Sequence, residues 1–446
     1  MIHRGPYFAY RALSWLTYRI PRRFTRAGLG VLLALAIAAI TGIDTENLMV
    51  YQAFPVLLFL VLASMLWTPF FRARFDVTRS LPTFGTVGQP VRYRVAVTNR
   101  TRKPQSGIDY LEDLADPRPG LNDWWAVQKA EMKRVKFFRF RGRRDRSPFR
   151  LATVSAPPVP PLPPGQSAEV AVELLPLRRG VLRFSGATLA RPDPLGLCRA
   201  FSSVSQPESM LILPRRYPLP PLALPGLVKY QEGGVALASS VGQSEEFVSL
   251  RDYRRGDPIR HIHWRSWAKA GKPIVKEFED EFFVRHALVL DTFTSDPWSD
   301  AFEEAVSIAA SFACTILTQE SLLDLLFVGP QAYCFTAGRG LAHTEQILEI
   351  LASVRPCVNR PFETLSGLVQ QQAAAVSGCI CVFLEWDEAR QDLVRRLRKM
   401  GVPVWVLVLA EPERAEQLDP GPLREERDRF HPLKIGHIAE GLAALA

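Results

Sequence analysis

The sequence predicts a multi-domain protein with two transmembrane α-helices, a β-sandwich domain and a C-terminal α/β domain built on a doubly wound sheet. Three observations support this prediction. Two charge-free apolar runs lie near the N-terminus, alternating apolar and polar residues follow them, and the last third alternates short apolar runs with helical patterns. A chain of 446 residues has room for two or three such domains.

The two apolar runs, residues 27–43 and 47–71, are predicted to form a membrane hairpin. A spanning helix needs about 20 apolar residues, so the first run is slightly short and the second is long enough. A cleaved signal peptide is the alternative for the first run, but the second follows so closely that a hairpin is favoured. Arginines flank the outer ends, and the connector with Asp44 and Glu46 is acidic, so we expect both termini in the cytoplasm.

The net charge of +10 is unevenly distributed. Residues 1–26 hold six arginines and no acid, and residues 133–150 are also strongly basic. A basic balance suits an anionic membrane surface or nucleic acid, and its position beside apolar segments favours the membrane. We therefore expect residues 1–26 to be a basic cytoplasmic N-terminus.

Residues 75–213 show the period-two pattern of a small β-sandwich, with short strands separated by Gly and Pro turns. A basic and proline-rich insertion, residues 100–165, interrupts the strands. Its basic run at 133–150 could be an exposed strand pair, a contact with lipid or protein, or a nucleic-acid site. The nucleic-acid site is the least favoured of the three interpretations. Residues 214–245 have the irregular composition of an extended linker.

The C-terminal region alternates apolar strands with amphipathic helices, which is typical of a doubly wound parallel sheet. The strands are predicted at 287–290, 322–328, 332–335, 379–384 and 402–409, and the helices at 298–319, 344–354, 364–376 and 387–400. The six cysteines lie scattered through apolar runs without metal-ligand spacing, so we interpret them as buried thiols in a reducing compartment.

Residues 246–285 combine paired charges with aromatic side chains, a density that suits an ordered polar clamp or a protein-binding surface. The turn at Gly256-Asp257-Pro258 divides the segment. The candidate residues are Arg251, Asp252, Tyr253, Gly256, Asp257, Arg260, His263, Trp264, Lys269 and Glu277. A catalytic interpretation is the alternative, with His261, His263, Asp252 and Asp257 as the acid–base set and Ser266 as the nucleophile.

The run LRDYRRGDPIRHIHWRSWAKAGKPIVKEFEDE resembles the signature of the bacterial domain-of-unknown-function family fifty-eight. The resemblance implies two N-terminal membrane helices, a β-rich domain, and a domain similar to von Willebrand factor type A at 286–446. It also implies pairing with a MoxR-type AAA+ ATPase. Trp267 departs from the pattern, in which a small residue is usual.

In the von Willebrand A fold, an adhesion-type site for Mg²⁺ uses Asp-x-Ser-x-Ser after the first strand, with ligands from two other loops. Asp291 and Ser295 match that motif, whereas Phe293 replaces the middle hydroxyl. The carboxylate of the third loop would come from Glu385 or Asp387. The favoured interpretation is that Asp291 and Ser295 cap a helix or hold the signature by hydrogen bonds. Thr344, the one plausible loop threonine, is expected to cap a helix starting at Glu345.

We therefore expect a membrane-anchored protein-interaction module at the bacterial inner membrane, an adaptor for a MoxR-type AAA+ ATPase in protein assembly or maturation. Membrane lipid and other membrane or envelope proteins are the further partners, and nucleic acid is not favoured. The alternative is a metal-dependent hydrolase or transferase that uses Asp291, Ser295, His261 and His263, with Mg²⁺ as the cofactor.

Overall fold

The computed structural model describes residues 5–41, 48–71, 73–116, 118, 120–122, 124–125, 128, 150–221, 247–254, 259, 262–278, 285–294, 296, 299–318, 322–337, 341–358 and 360–445. Residues 133–149 of the basic run and most of the predicted linker lie outside this part of the chain. The chain divides into two compact units. One contains Met1–Arg215 and the other most of the remainder.

The first unit begins with three helices, α1 (Gly5–Arg23), α2 (Arg26–Thr41) and α3 (Leu48–Trp67). Helix α1 occupies the segment expected only to be a basic N-terminus. Among the described residues, one helix is long and apolar enough to cross a membrane, over Gln52–Phe70. Helix α2 is apolar but shorter than a usual span. The structure thus contains both apolar helices, and length and composition support a span for the second.

The start of α2 lies directly against the β-domain. The Thr25 backbone N–H donates to the Leu197 carbonyl over 3.0 Å. A Cβ added to Gly28 would be 2.0 Å from the Leu197 carbonyl oxygen, so only glycine allows this approach. Phe24, Val61 and Cys198 form a small buried apolar cluster at the same place.

The β-domain contains two sheets. Its strands are β1 (Phe75–Ser80), β2 (Phe84–Thr86), β3 (Val91–Asn99), β4 (Ile108–Leu114), β5 (Ala152–Val154), β6 (Pro158–Val159), β7 (Ser167–Pro176), β8 (Gly180–Pro192) and β9 (Arg199–Leu213). One sheet has the order β1-β3-β7-β5 and the other the order β2-β9-β8-β4-β6. Alternate residues of both sheets point into one shared core, as the period-two pattern predicts.

Residues 100–165 contribute to this sandwich, although their composition suggests an insertion. Strands β4, β5 and β6 lie in that range, and β4 pairs with β8 in the middle of its sheet. In the proline-rich stretch, Leu162 is buried and exchanges backbone hydrogen bonds with Gln105. The stretch therefore forms part of the domain and is not a connector.

The second unit opens with a two-stranded antiparallel sheet, β10 (Phe247–Asp252) and β11 (Ile274–Phe278), with helix α4 (Trp264–Ala270) between the strands. The larger part follows. Its strands are β12 (Arg285–Leu290), β13 (Leu322–Val328), β14 (Ala332–Ala337), β15 (Gly378–Phe383), β16 (Val404–Ala410) and β17 (Phe430–Lys434), and its helices are α5 (Asp300–Thr318), α6 (Leu341–Ser353), α7 (Glu363–Gln372), α8 (Glu388–Lys399), α9 (Pro412–Ala415) and α10 (Ile438–Ala443).

The six strands form one sheet with the order β14-β13-β12-β15-β16-β17. The chain starts at β12, extends to one edge, and then returns to build the other edge from β15, which is the order of a doubly wound sheet. Strand β14 is antiparallel to β13, so the sheet is mixed and not fully parallel as predicted. Three residues separate these two strands, too few for the crossover that a parallel pair needs.

Candidate functional site

The signature segment folds as a hairpin interrupted by a short helix. Asp252 ends β10 opposite Ile274, and its carboxylate accepts from Lys272 Nζ over 2.6 Å. The His263 backbone N–H donates to the Ile274 carbonyl over 2.8 Å and holds the start of α4 against β11. Gly271 ends α4 with φ of 67°, the left-handed conformation that glycine favours at this position.

The candidate residues of the signature are only partly described. Arg251, Asp252 and Tyr253 lie at the end of β10, whereas His263, Trp264 and Lys269 lie at the start of α4 and within it. For Glu277 only the backbone position is described, in β11 opposite Ser249. Gly256, Asp257, Arg260 and His261 lie outside the described residues.

Two tryptophans stack on the outer side of α4. The ring centroids of Trp264 and Trp267 are 5.2 Å apart with 17° between the ring planes. Trp264 is 62% exposed, and Arg265 and Lys269 beside it are also exposed. Trp267, the residue that departs from the signature pattern, is therefore half of an aromatic pair. A stacked aromatic pair with one exposed ring and cations on the same helix is typical of a protein-binding anchor.

His263 and Ser266 form a local pair at the first turn of α4. The His263 Nδ1 and Ser266 Oγ atoms are 2.6 Å apart, within hydrogen-bond distance. The Ser266 backbone N–H also donates to the His263 carbonyl over 3.0 Å, as at an ordinary helix start. The distance suits a nucleophile and its base, although such a pair also needs a third group to orient the histidine.

Asp291 directly follows β12 at the carboxyl edge of the large sheet, next to β15, where the strand order reverses. Its carboxylate is fully buried. One oxygen accepts from the Phe293 backbone N–H over 2.9 Å. The other accepts from the Leu384 N–H over 3.2 Å and from Arg390 Nε and Nη2 over 3.1 and 3.0 Å. Asp291 thus links the loops after β12 and β15 to α8. These partners are neither the helix cap nor the signature contact that the sequence favoured for Asp291.

Asp387 caps the N-terminus of α8 and belongs to the same cluster. It accepts from the Arg390 backbone N–H over 3.1 Å and from Arg390 Nη1 over 2.5 Å. The guanidinium carbon of Arg390 lies 4.5 Å from the centre of the Phe362 ring. One arginine therefore contacts both carboxylates of the candidate metal site, which was the less favoured interpretation, and sequence reasoning did not single it out.

Burial and charge oppose each other at this cluster. Burial raises the pKa of the Asp291 carboxyl, while Arg390 and two backbone N–H groups act in the opposite direction. For Arg390, burial disfavours the charged form, but Asp291 and Asp387 outweigh it and raise the pKa of the guanidinium. The arginine is therefore a permanent cation at this edge of the sheet.

The described residues do not fit a hydrated Mg²⁺ ion at this position. Four N–H groups already donate to the Asp291 oxygens. The positive charge between the Asp291 and Asp387 carboxylates is that of the Arg390 guanidinium. Phe293 packs on the Phe362 ring, with centroids 5.6 Å apart. Ser295 lies outside the described residues, and the Glu385 side chain is exposed. In the described part of the chain, no three His, Cys, Asp or Glu side chains are grouped to hold a metal ion.

Thr344 does not have the position expected for a helix cap. It lies inside α6, which starts at Leu341 and not at Glu345. The prediction was wrong because the helix extends one turn further towards the N-terminus than the apolar pattern indicates.

An open cleft of about 760 Å³ runs beside α8. Its charged lining residues are Arg395, Arg398, Lys399, Asp419, Arg424, Glu426 and Arg429. Several of the cations already have partners, since Arg398 and Arg429 both contact Glu426, at 2.8 and 2.6 Å. The Arg424 guanidinium and the Gly421 N–H hold the pKa of Asp419 at about 2. Most of the positive charge of the cleft is thus matched locally.

Comparisons with known proteins connect the hairpin and the large sheet to one family. The model of a family described as "Protein of unknown function DUF58" matches residues 249–422, less than half of the chain. The chain is 27% identical over 191 residues to "Uncharacterized protein YeaD" of Bacillus subtilis (strain 168). The aligned part covers 42% of this chain and 46% of that protein, so the chain spans about half the length of this relative.

Solved structures match only parts of the chain. A Salmonella alpha-2-macroglobulin mutant is 16% identical over 34% of this chain and 8% of its own, with a TM-score of 0.19. The PapD-like domain 7 of human CEP192 is 12% identical over 31% of this chain and 84% of its own, with a TM-score of 0.17. The family match thus confirms the resemblance to domain-of-unknown-function family fifty-eight over residues 249–422.

Proposed function

We propose that this protein is a membrane-anchored protein-interaction module, an adaptor that works with a MoxR-type AAA+ ATPase in the assembly or maturation of other proteins. In this proposal the hairpin α2–α3 crosses the bacterial inner membrane twice, and both termini are cytoplasmic. The residues 286–446 act as a domain similar to von Willebrand factor type A. The apolar helix at Gln52–Phe70 supports the anchoring.

The observation that carries the proposal is the stacked tryptophan pair within the family-matched segment, in which Trp264 is exposed and Trp267 is half-buried. A side chain as large as Trp264, 62% exposed, is unusual unless another surface covers it. Stacking on Trp267 fixes the ring of Trp264 before binding, so little side-chain freedom is lost on contact. Tryptophans in such positions contribute most to binding free energy in protein interfaces.

The charges around the pair indicate the chemistry of the partner. Helix α4 carries the exposed cations Arg265 and Lys269 and no acidic residue, whereas Lys272 beyond its end is paired with Asp252. A partner surface with an apolar pocket and acidic residues at its rim would match this arrangement. The ATPase as partner comes from the family resemblance.

The carboxyl edge of the large sheet has a supporting role in this proposal. Arg390 holds the β12 and β15 loops together through Asp291 and Asp387, so the edge is pre-organised without a metal ion. An edge of this kind presents fixed loops to a protein partner at the position where open α/β sheets build their sites.

A crosslinking pulldown from native membranes tests the proposal. We compare the wild type with Trp264→Ala and with Val358→Ala, a control that truncates an exposed apolar residue outside the signature, 61% exposed. We expect an AAA+ ATPase with the wild type and the control, and at least about tenfold less with Trp264→Ala. Circular dichroism of each purified variant checks folding.

Two outcomes contradict the proposal. Equal recovery of the ATPase with Trp264→Ala would show that the tryptophan pair is not the binding surface. Absence of any AAA+ ATPase from the wild-type sample, with folded protein present, would overturn the adaptor function itself.

A second candidate function is a hydrolase or transferase, favoured by the 2.6 Å contact between His263 Nδ1 and Ser266 Oγ. The metal-dependent form of this candidate would use Asp291, Ser295 and the two histidines, and it conflicts with the Arg390 contacts. Labelling of the full chain with a fluorophosphonate probe, absent in Ser266→Ala, would support the hydrolase. Calorimetry with Mg²⁺ tests the metal-dependent form, for which the adaptor proposal expects no binding.

A further inference from the structure

Helix α1 has an inward face that fixes it on the first unit. Tyr7 is buried, and its ring lies 5.8 Å from that of Trp124. Tyr10 contacts the same tryptophan, with ring centroids 5.7 Å apart. At the other end of the helix, Arg22 Nη2 donates to Asp113 Oδ1 over 2.5 Å. These contacts determine which side of α1 points away from the domain.

The outward face of α1 exposes large apolar side chains. Phe8, Leu13, Trp15 and Leu16 are 60%, 64%, 43% and 42% exposed. At about 3.6 residues per turn Phe8, Trp15 and Leu16 lie within roughly 100° of one another, on the side away from Tyr7 and Tyr10, and Leu13 lies at the edge of that side. Arg19 lies among these side chains. A helix on the surface of a soluble domain normally shows the reverse arrangement. The outward face therefore needs an apolar partner.

The charges of α1 indicate which partner. The helix contains no acidic residue, and two of its four arginines, Arg11 and Arg19, are exposed, whereas Arg22 pairs with Asp113 and Arg23 donates to Thr68. The Arg19 guanidinium lies 5.2 Å from the Trp15 ring centre, a pairing that suits the boundary between acyl chains and headgroups. Long arginine side chains at such a boundary extend to the phosphates.

The position of α1 in the chain points to the same partner. Arg23 ends α1, and the apolar helix α2 begins at Arg26. Exposed apolar side chains continue along α2, since Leu33 and Ile37 are 64% and 53% exposed. The apolar surfaces of the two helices are therefore close neighbours in sequence and lie in the same unit.

We propose that α1 is an interfacial helix, which lies in the headgroup region of an anionic membrane with its four large apolar side chains among the acyl chains. The inference rests on the membrane anchoring proposed above. It goes beyond that anchoring because it assigns a lipid-binding surface outside the spanning helices. A helix with one apolar face and basic residues binds membranes in this way.

Photocrosslinking of the full chain tests this surface. A benzophenone amino acid replaces Leu16 on the outward face or, as a matched control on the same helix, Tyr10 on the inward face. The protein is reconstituted in nanodiscs of phosphatidylcholine with phosphatidylglycerol or of phosphatidylcholine alone, and lipid adducts are measured by mass spectrometry. Alkaline carbonate extraction of native membranes tests the anchoring separately.

We expect lipid adducts from position 16 and none from position 10, with a yield at least about threefold higher in the anionic nanodiscs. Equal yields in both nanodiscs would overturn the role of the arginines. Crosslinks from position 16 to a second copy or to another part of the chain would overturn the interfacial helix. Retention in the membrane after carbonate treatment together with such crosslinks would leave the anchoring intact.

Discussion

Each unit of the molecule contains a buried arginine paired with a carboxylate, and the two pairs differ in what surrounds them. In the sandwich, Arg79 donates to Glu112 over 2.9 and 2.7 Å, and both side chains are fully buried. The other Glu112 oxygen accepts from the hydroxyls of Tyr93 and Tyr110 over 2.5 and 2.8 Å. This pair is closed on all sides by the domain core.

The pair in the α/β unit opens towards the surface. Arg390 contacts the fully buried Asp291 on one side and Asp387, whose side chain is 45% exposed, on the other. It lies where the strand order reverses, at the carboxyl ends of β12 and β15. Both pairs are buried and charge-paired, so these two properties alone do not mark a candidate functional site. Position in the sheet distinguishes the pairs, because only the Arg390 pair lies at the edge where open α/β sheets build their sites.

The largest effect is expected from breaking the closed pair. Arg79→Ala leaves the Glu112 charge buried without its partner and should lower the local free energy of unfolding of the sandwich by about 5 kcal/mol. Arg92→Ala is the matched control, because Arg92 is an exposed partner of Glu173 in the same sandwich and should cost less than about 1 kcal/mol. Hydrogen exchange of the β3 and β8 amides measures both. Similar protection in the two variants would contradict a structural role for the buried pair.

Breaking the open pair should have a smaller effect and a new consequence. Arg390→Ala should cost about 3 kcal/mol, since Asp387 can be solvated and Asp291 keeps two backbone donors. With the guanidinium removed, Mg²⁺ should raise the thermal midpoint of the variant and leave that of the wild type unchanged. Differential scanning fluorimetry with and without Mg²⁺ checks this result. Arg390→Lys, which keeps the charge but not the paired geometry, should be intermediate in stability and insensitive to Mg²⁺.

The smallest effect is expected at the two tyrosines of the closed pair, and it depends on pH. Burial, with the Glu112 charge, raises the pKa of Tyr93 and Tyr110 far above the ordinary value of 10.0. Below that pH the tyrosines are neutral in both the folded and the unfolded chain. Above it they ionise only in the unfolded chain, so the free energy of unfolding of the sandwich should fall in alkali. Tyr93→Phe should cost about 1.5–2 kcal/mol at neutral pH and weaken the alkaline loss. Hydrogen exchange at rising pH, corrected for the intrinsic rate, measures it, and an unchanged alkaline slope would contradict the assignment.

The sequence was most informative for the C-terminal sheet. Apolar strands separated by helices predicted five of its six strands, because a buried strand needs a continuous apolar run. Strand β17 escaped detection because Phe430–Lys434 contains two polar residues and a proline. Pairing direction depends on loop length, and the three residues before β14 already required an antiparallel partner.

The sandwich and the site were less predictable, because both depend on contacts between distant residues. Strands β4 to β6 have basic and proline-rich surroundings. Only the pairing of β4 with β8, of β5 with β7 and of β6 with β4 shows that they belong to the core. Asp291 and Asp387 were singled out, but the amphipathic pattern of the helix predicted at 387–400 did not distinguish Arg390 from its other charged residues. The spacing Asp387-x-x-Arg390 at a helix start is the signal that could have indicated it.

The contact between Gly28 and Leu197 has a mechanical consequence. Because Thr25 and Gly28 lie directly on the turn between β8 and β9, no flexible tether separates the first apolar helix from the sandwich. A force applied to the sandwich would act directly on α2, and a tilt of α2 would rotate the sandwich with it. With the helices in a bilayer, the sandwich would be held at a set height and angle above the lipid surface.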